Sequence, residues 1–162
     1  MKILQFASGD LWAGAEVQLY YLSCEIAKYK DIEYIVVLLN EGQLADELRS
    51  SGIKVVIFDE SSLSSIAIFM KLYKLVRTFR PDVIHTHRSK ENVIGGVVSL
   101  LSMAKSVRTA HGASEFTDQP FSLRRFVIGQ LDKFAGHFLQ KKIVAVSQEL
   151  SIKLAKDRKS VV

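Results

Sequence analysis

The chain has a single cysteine, Cys24, so no disulfide can form within it. That thiol sits inside an apolar helical pattern, where a free cysteine is expected to be a buried, inert packing residue suited to a reducing compartment. Two prolines and nine glycines in 162 residues exclude a collagen-like or linker-rich chain. Long uncharged apolar runs are absent too. The most apolar stretches, Val93 to Met103 and Leu63 to Val76, carry glycines or lysines and have the length of helices that pack on a sheet rather than span a bilayer. Met1-Lys2 leads directly into a short strand pattern, which leaves no room for the apolar segment of a signal peptide, so a cytoplasmic location is expected.

Several catalytic signatures are missing. No G-x-S-x-G elbow presents a nucleophilic serine. Gly9 and Gly14 lie five apart, which is not the G-x-G-x-x-G spacing of a dinucleotide loop, and no Lys-Ser or Lys-Thr makes the opening loop a Walker loop. Charge of one sign is scarce only at the end. Residues 1–119 hold 13 Lys/Arg and 14 Asp/Glu, whereas residues 120–162 hold 9 and 3, which concentrates the net charge of +5 in the last quarter. A basic quarter suits an anionic membrane, nucleic acid, an acidic neighbouring domain or simply water. Nucleic acid is the poorest fit, because the aromatics there belong to an apolar helical stripe and do not interleave with the cations as a stacking platform.

What is present is a strict alternation of strand and helix patterns. Strands are expected at Lys2–Ala7, Glu33–Leu39, Lys54–Phe58, Asp82–Thr86, Ser106–Ala110 and Ile143–Val146, mostly as near-continuous Val/Ile/Leu runs of the kind covered on both faces. Helices are expected at Ala15–Lys28, Leu44–Ser51, Leu63–Phe79, Lys90–Met103, Ser122–Gln140 and Gln148–Asp157. Gly42 precedes the second helix, Gly52 follows it, and Arg80-Pro81 stops the third. Ser147 is placed to cap the last. The fifth carries Leu123, Phe126, Val127, Leu131, Phe134 and Phe138 on one stripe. The fold class is therefore α/β, a single three-layer Rossmann-like sandwich over residues 1–162 with a parallel sheet and right-handed crossovers.

In open parallel sheets ligands sit beyond the carboxyl ends of the strands. Three sets of residues fall there. The first is the loop Ser8-Gly9-Asp10-Leu11-Trp12-Ala13-Gly14-Ala15-Glu16, which opens a helix whose first-turn N–H groups and dipole favour an anion. Its glycines could equally just turn the chain, and the dipole alone could account for Glu16 in the first turn. The second set is His85-Thr86-His87-Arg88, where period-two alternation puts Val83, His85 and His87 on one face and Ile84 and Thr86 on the other. The third is Thr109-Ala110-His111-Gly112. A metal held by the histidines lacks the acidic or thiolate partners of a recognisable zinc spacing, so none is expected. His85 is expected to be a core-edge histidine with a backbone partner, and His87 and His111 are the better functional candidates. Arg88 either binds an anion or is solvated. Asp59 and Glu60 read as turn formers as readily as a general base. The polar groups at this edge face nothing that the chain itself supplies.

Taken together, Lys2-Ile3-Leu4, Ala13-Gly14-Ala15-Glu16, Arg80-Pro81-Asp82-Val83-Ile84-His85-Thr86-His87, Thr109-Ala110-His111-Gly112 and Ile143-Val144-Ala145-Val146-Ser147 resemble the N-terminal half of a family 4 retaining glycosyltransferase. The resemblance implies a GT-B architecture, in which two Rossmann-like domains face each other across a cleft, and no cofactor. It implies that this half receives the acceptor, while a C-terminal domain, with its paired glutamates, grips the nucleotide-sugar. Gly14 then matches the second glycine of a Gly-Gly-x-Glu loop that approaches the donor's phosphate or sugar through its backbone. His111, with Gly112, matches the His-Gly position that reaches the transferred sugar, and is the catalytic candidate. His87 would help line the acceptor side, and Arg88, Ala13 and Glu16 complete the candidate substrate-binding set. Ala13 stands where the family usually has a glycine, so a positive φ is not expected there. Without the donor domain the chain alone is expected to be inactive. Arg124, Arg125, Lys133, Lys141 and Lys142 would suit an anionic membrane surface and a lipid-linked acceptor in cell-surface polysaccharide or lipopolysaccharide assembly. Two other functions compete with this: a non-enzymatic nucleotide- or phosphate-binding Rossmann-like module, and a response-regulator-type domain, which would need acidic residues where Ala7-Ser8-Gly9 stands.

Overall fold

Apolar residues at period two and period 3.6 find each other across one parallel sheet. In a computed structural model that describes residues 1–111, 130, 134 and 139–157, the strands are β1 (Lys2–Ala7), β2 (Glu33–Leu38), β3 (Lys54–Ile57), β4 (Val83–Thr86), β5 (Lys105–Ala110) and β6 (Lys142–Ala145). The helices are α1 (Gly14–Ala27), α2 (Gln43–Ser50), α3 (Ser65–Phe79), α4 (Ser89–Ser102) and α5 (Gln148–Asp157). All strand pairs are parallel, in the order β3-β2-β1-β4-β5-β6. The expected fifth helix, Ser122–Gln140, lies outside the described residues apart from Gln130 and Phe134, which are helical.

Alternation along β1 divides the core. Leu4 and Phe6, with Ile35, Val37 and Ile84, pack under Ile68, Leu72 and Val76 of α3 and Ile94 and Val98 of α4. Ala7, Val36 and Leu38 pack under Leu19 of α1 and Leu44, Ala45 and Leu48 of α2. Each fully buried leucine or phenylalanine among them contributes about 2 kcal/mol. The chain fills β1, β2 and β3 in one direction, then returns to place β4 on the other side of β1. The helices after β1 and β4 therefore leave opposite faces of the sheet, and the strand ends between them form the crevice where such sheets bind ligands.

Element ends differ from the sequence reading by one or two residues, for local reasons. The third helix starts at Ser65 rather than Leu63 because the Ser64 hydroxyl accepts the Ala67 N–H at 3.2 Å and caps it. It ends with Arg80 in the left-handed region, φ 54°, just before Pro81. Asp82 stays outside β4 because its carboxylate accepts the Lys2 N–H at 2.7 Å while its own N–H donates to the Lys2 carbonyl. Ser147 caps α5 as expected, its hydroxyl accepting the Leu150 N–H at 3.2 Å. Cys24 is half-buried, against the edge of the α1–α2 cluster, rather than fully enclosed.

Gly95 is the glycine that packing demands. A Cβ there would lie 2.6 Å from Thr86 Cγ2 and 3.6 Å from Phe6 Cδ1, so α4 can lie this close to β4 only without a side chain. Gly95→Ala should destabilise the fold by about 1–2 kcal/mol, since overpacking costs more than the helix propensity gained. Chemical denaturation checks this, with Gly14→Ala as the control. Gly14 has nothing within 4 Å of a built Cβ, so that variant should leave stability nearly unchanged.

Candidate functional site

The crevice at the ends of β1 and β4 is built from the loop after β1, the first turn of α1 and the segment leaving β4. Gly9 turns the chain out of β1 at φ +79°, a conformation that a side chain would resist. Ala13, the N-cap of α1, has φ −129° and a side chain that cannot cap, so the N–H groups of Gly14, Ala15 and Glu16 receive no cap from it. Gly14 opens the helix with clear space around it. Its φ is ordinary, so the chain's own backbone does not require a glycine at this position.

Arg88, 29% exposed at its side chain, is held in two ion pairs. Its guanidinium donates to Asp10 Oδ1 at 2.8 Å and to Glu16 Oε1 at 2.7 Å, tying the loop and α1 to the end of β4. Glu16 is only 4% exposed, and its Oε2 is buried without a hydrogen-bond partner. The α1 dipole alone does not account for it. It is the buried end of an ion pair. Ser8 donates to Glu91, a fully buried carboxylate in the first turn of α4 that the sequence reading passed over. On the outer side, Glu60 accepts from Asn40 at 2.9 Å and from Lys90, while the Asp59 carboxylate accepts the Ser61 N–H at 2.8 Å. Both carboxyls are held below the usual range, Asp59 by its Ser61 hydrogen bonds, and Glu60 by Lys90 and Asn40 against opposing burial. They are brace and turn former, not a poised base.

The histidines fall on the face that alternation assigns to them. Ile84 and Thr86 point to the α3–α4 core, and His85 and His87 to the side of Gln5. His87 is buried, with its Nε2 2.8 Å from the Gln5 carboxamide and its Nδ1 3.0 Å from His111 Nε2. The structure thus buries His87 and joins it to His111. The partner of His85 is the Thr109 hydroxyl, 2.8 Å from its Nε2, rather than a backbone group. The rings of His85 and His87 lie 4.6 Å apart and those of His87 and His111 5.3 Å apart. Behind Gln5, Tyr34 Oη lies 2.5 Å from the carboxamide and 2.6 Å from the Ser23 hydroxyl, which donates to the Leu19 carbonyl at 2.7 Å. Gln5, Tyr34, His85, His87 and His111 thus find partners within the chain, contrary to the sequence expectation that the polar groups at this edge face nothing the chain supplies, although Glu16 Oε2 stays unpaired.

Burial sets the charge of this cluster. It pushes the His85 imidazole from 6.5 down to about 4, with His111 adding repulsion, and it holds His87 well below its ordinary value, helped by His85, His111 and Arg88. Burial likewise raises the Tyr34 phenol, so it keeps its proton. Among the described residues no group of three or more His, Cys, Asp or Glu is placed to hold a metal.

Gly112, Arg124, Arg125 and Lys133 lie outside the described residues, while Lys141 and Lys142 are exposed beside and within β6. Among the described residues no helix is long and apolar enough to cross a membrane. The cavity lined by Ala7, Ser8, Ala15, Glu16, Leu19, His87 and Arg88 is about 10 Å³, far below the size of a ligand pocket. A wider hollow of about 400 Å³, lined by Arg77, Arg80, Asp82, Met103 and Lys105 among others, opens at the opposite end of the strands. What the crevice offers is a wall.

The comparisons with known proteins agree with this geometry. The family model of Glycosyltransferase Family 4 matches residues 12–159. No curated protein sequence matches. Among solved structures, Anabaena HepE in complex with UDP-glucose superposes with a TM-score of 0.79 at 19% identity, covering 100% of this chain and 43% of its own. S. aureus MnaA with UDP gives 0.71 at 19% identity, covering 99% and 44%. The lipopolysaccharide outer core galactosyltransferase WaaB, in its apo form, gives 0.70 at 12% identity, covering 100% and 44%. At these identities the likeness is one of fold, and the chain spans less than half the length of each of these proteins. The α/β sandwich is the Rossmann-like half of a GT-B architecture, and by a family match that runs through the opening loop, both histidine strands and α5, the chain belongs to Glycosyltransferase Family 4.

Proposed function

We propose that the chain is the acceptor-side half of a retaining glycosyltransferase that moves a hexosyl group from a nucleotide-sugar to a glycan or lipid-linked acceptor in cell-surface polysaccharide or lipopolysaccharide assembly. In that transfer the bond from the anomeric carbon to the donor phosphate breaks, a bond to an acceptor hydroxyl oxygen forms, and the hydroxyl proton leaves. A second, donor-binding domain supplies most of the grip on the nucleotide, and the chain alone is inactive. The carrying observation is the open ground at Gly14. Among the described residues nothing beyond the local helix backbone comes within 4 Å of a Cβ built there and no positive φ requires a glycine, so the missing side chain leaves room for something outside the chain. HepE, whose structure holds UDP-glucose, makes UDP-sugars the first donors to test.

Within this reading Gly14 and His111, with Gly112 after it, meet the donor sugar and its phosphate. Ala13 sets the angle at which α1 starts, Glu16 and Arg88 brace the wall, and His87 holds His111. Arg124, Arg125, Lys133, Lys141 and Lys142 rest against an anionic membrane at the inner face of the cell. The test uses the full-length protein with its second domain, screened against nucleotide-sugars. Gly14→Val and His111→Ala should each cut transfer by on the order of 10- to 100-fold while nucleotide affinity stays within about twofold. Transfer that survives both changes would remove these residues from the site.

A further inference from the structure

The flank of the crevice reverses the basic character of the chain. From Gly9 to Ala27 there are three carboxylates, Asp10, Glu16 and Glu25, and no Lys or Arg. The same stretch leaves large apolar side chains in water. Trp12 is 38% exposed, and Leu11 and Tyr21 more so. Trp12 directly precedes Ala13, the N-cap of α1. A hydrophobic residue there commonly staples a helix by packing on the fourth helical position, here Val17. An aliphatic side chain would serve that purpose, and a staple does not account for so large a ring left partly open.

The indole is held in place. Its ring centroid lies 6.0 Å from that of Tyr20, with the planes at 60°, so the two rings meet at an angle and do not stack in parallel. Tyr20 is propped in turn, its Oη 3.1 Å from Ser51 Oγ and its ring 5.5 Å from that of Tyr21. Two residues before Trp12, the Asp10 carboxylate is anchored on Arg88 and still 42% exposed. A fixed, partly exposed aromatic ring therefore stands beside an open carboxylate, two residues from Gly14.

That pairing has a chemical complement. A hexopyranose has faces rich in C–H and an edge of hydroxyls. A face laid on the indole buries apolar surface and brings polarised C–H groups to the negative face of the ring. Edge hydroxyls can donate to a carboxylate, a charge-assisted bond. An anionic lipid surface or a phosphate finds no cation between Gly9 and Ala27 to meet it. We propose that Trp12 is a stacking platform for a neutral sugar ring of the acceptor. Assigning that ring to the acceptor rests on the glycosyltransferase reading; the stacking itself does not.

Trp12 is the chain's only tryptophan, so its indole N–H gives one signal in a proton–nitrogen spectrum of the 15N-labelled chain. The probes are the methyl glycosides of glucose, galactose, mannose and N-acetylglucosamine, with a disaccharide of each, at millimolar concentration. At least one should move that signal saturably. Sorbitol, which has the hydroxyls but no ring face, should not. In the full-length protein Trp12→Ala should raise the acceptor KM by about 10-fold while the donor KM stays within about twofold, and Trp12→Phe, which keeps a ring, should stay within about threefold on both. Backbone amide spectra confirm that both variants are folded. No response to any of the sugars, an equal response to sorbitol, or a response only to phosphatidylglycerol vesicles overturns the proposal. So does an acceptor KM that ignores Trp12→Ala, or a rise confined to the donor KM. An indole that responds to sugars in a full-length protein that transfers none would instead remove the transferase reading and leave Trp12 as a sugar site.

Discussion

Arg88→Met should destabilise the chain by about 3–5 kcal/mol, the cost of stranding one member of a buried ion pair. The guanidinium spans two carboxylates of unlike standing. Asp10 is 42% exposed at its side chain, and its bond to Arg88 is shared with water, so Asp10→Asn should cost at most about 1 kcal/mol. Glu16 is 5% exposed at its side chain, and its second oxygen is already without a partner. Removing the guanidinium leaves that carboxylate buried with no counter-charge. In a chain of this length the loss corresponds to a fall in Tm of about 10 °C. Glu16→Gln in the Arg88→Met background removes the stranded charge and should recover most of the loss, giving a coupling of about 2 kcal/mol or more in a double-mutant cycle. Urea unfolding of the four proteins measures it. If Arg88→Met costs no more than Asp10→Asn, Glu16 is not the buried anchor of the loop.

The sheet could be read from the sequence because its signals are local. Val/Ile/Leu runs separated by apolar stripes at helical spacing give the order of elements, and Gly52 and Pro81 mark helix ends within a residue. What was lost at the ends was side-chain capping, as at Ser64 and Asp82, where one hydroxyl or carboxylate decides which residue comes first. His87 and His111 could be found because strand ends in a parallel sheet are where ligands sit. Their roles could not. The Arg88 partners lie 78 and 72 residues away, and Gln5 lies 82 from His87, distances over which no spacing rule operates. One sign was available: Gln5 interrupts an otherwise apolar strand, and a polar residue at a buried strand position needs a partner. Ser23 and Tyr34 carry no such mark, because a serine in a helix and a tyrosine in a strand are ordinary until their hydroxyls are placed.

Acidification should weaken the fold before any carboxylate is protonated, and the imidazoles set the window. In the unfolded chain His85 takes up a proton near 6.5, whereas in the folded chain burial delays this to about 4. Between those values the unfolded state binds more protons, so stability falls as pH falls. Above about pH 7 both states are neutral at these rings and the contribution is constant. His85 alone accounts for about 3 kcal/mol lost by pH 4, and His87, also held well below its ordinary value by burial and by His85, His111 and Arg88, adds to the slope. The paired carboxylates, among them Glu41, Asp59 and Glu60, act in the same direction but further down, since their folded values are lowered and their contribution goes only as pH falls below about 4.5. Stability measured by urea from pH 7 to pH 5 should therefore drop with a slope of about 1–2 kcal/mol per pH unit toward the lower end. His85→Gln, which keeps a hydrogen-bonding side chain beside Thr109 but cannot titrate, should flatten that slope by about 1 kcal/mol per unit. An unchanged slope would mean that His85 takes up its proton in the folded chain near its ordinary value. The burial that costs stability in acid also keeps His85 and His87 uncharged at neutral pH, so the acid limb of the stability curve reports directly on how dry the ground beneath His111 is.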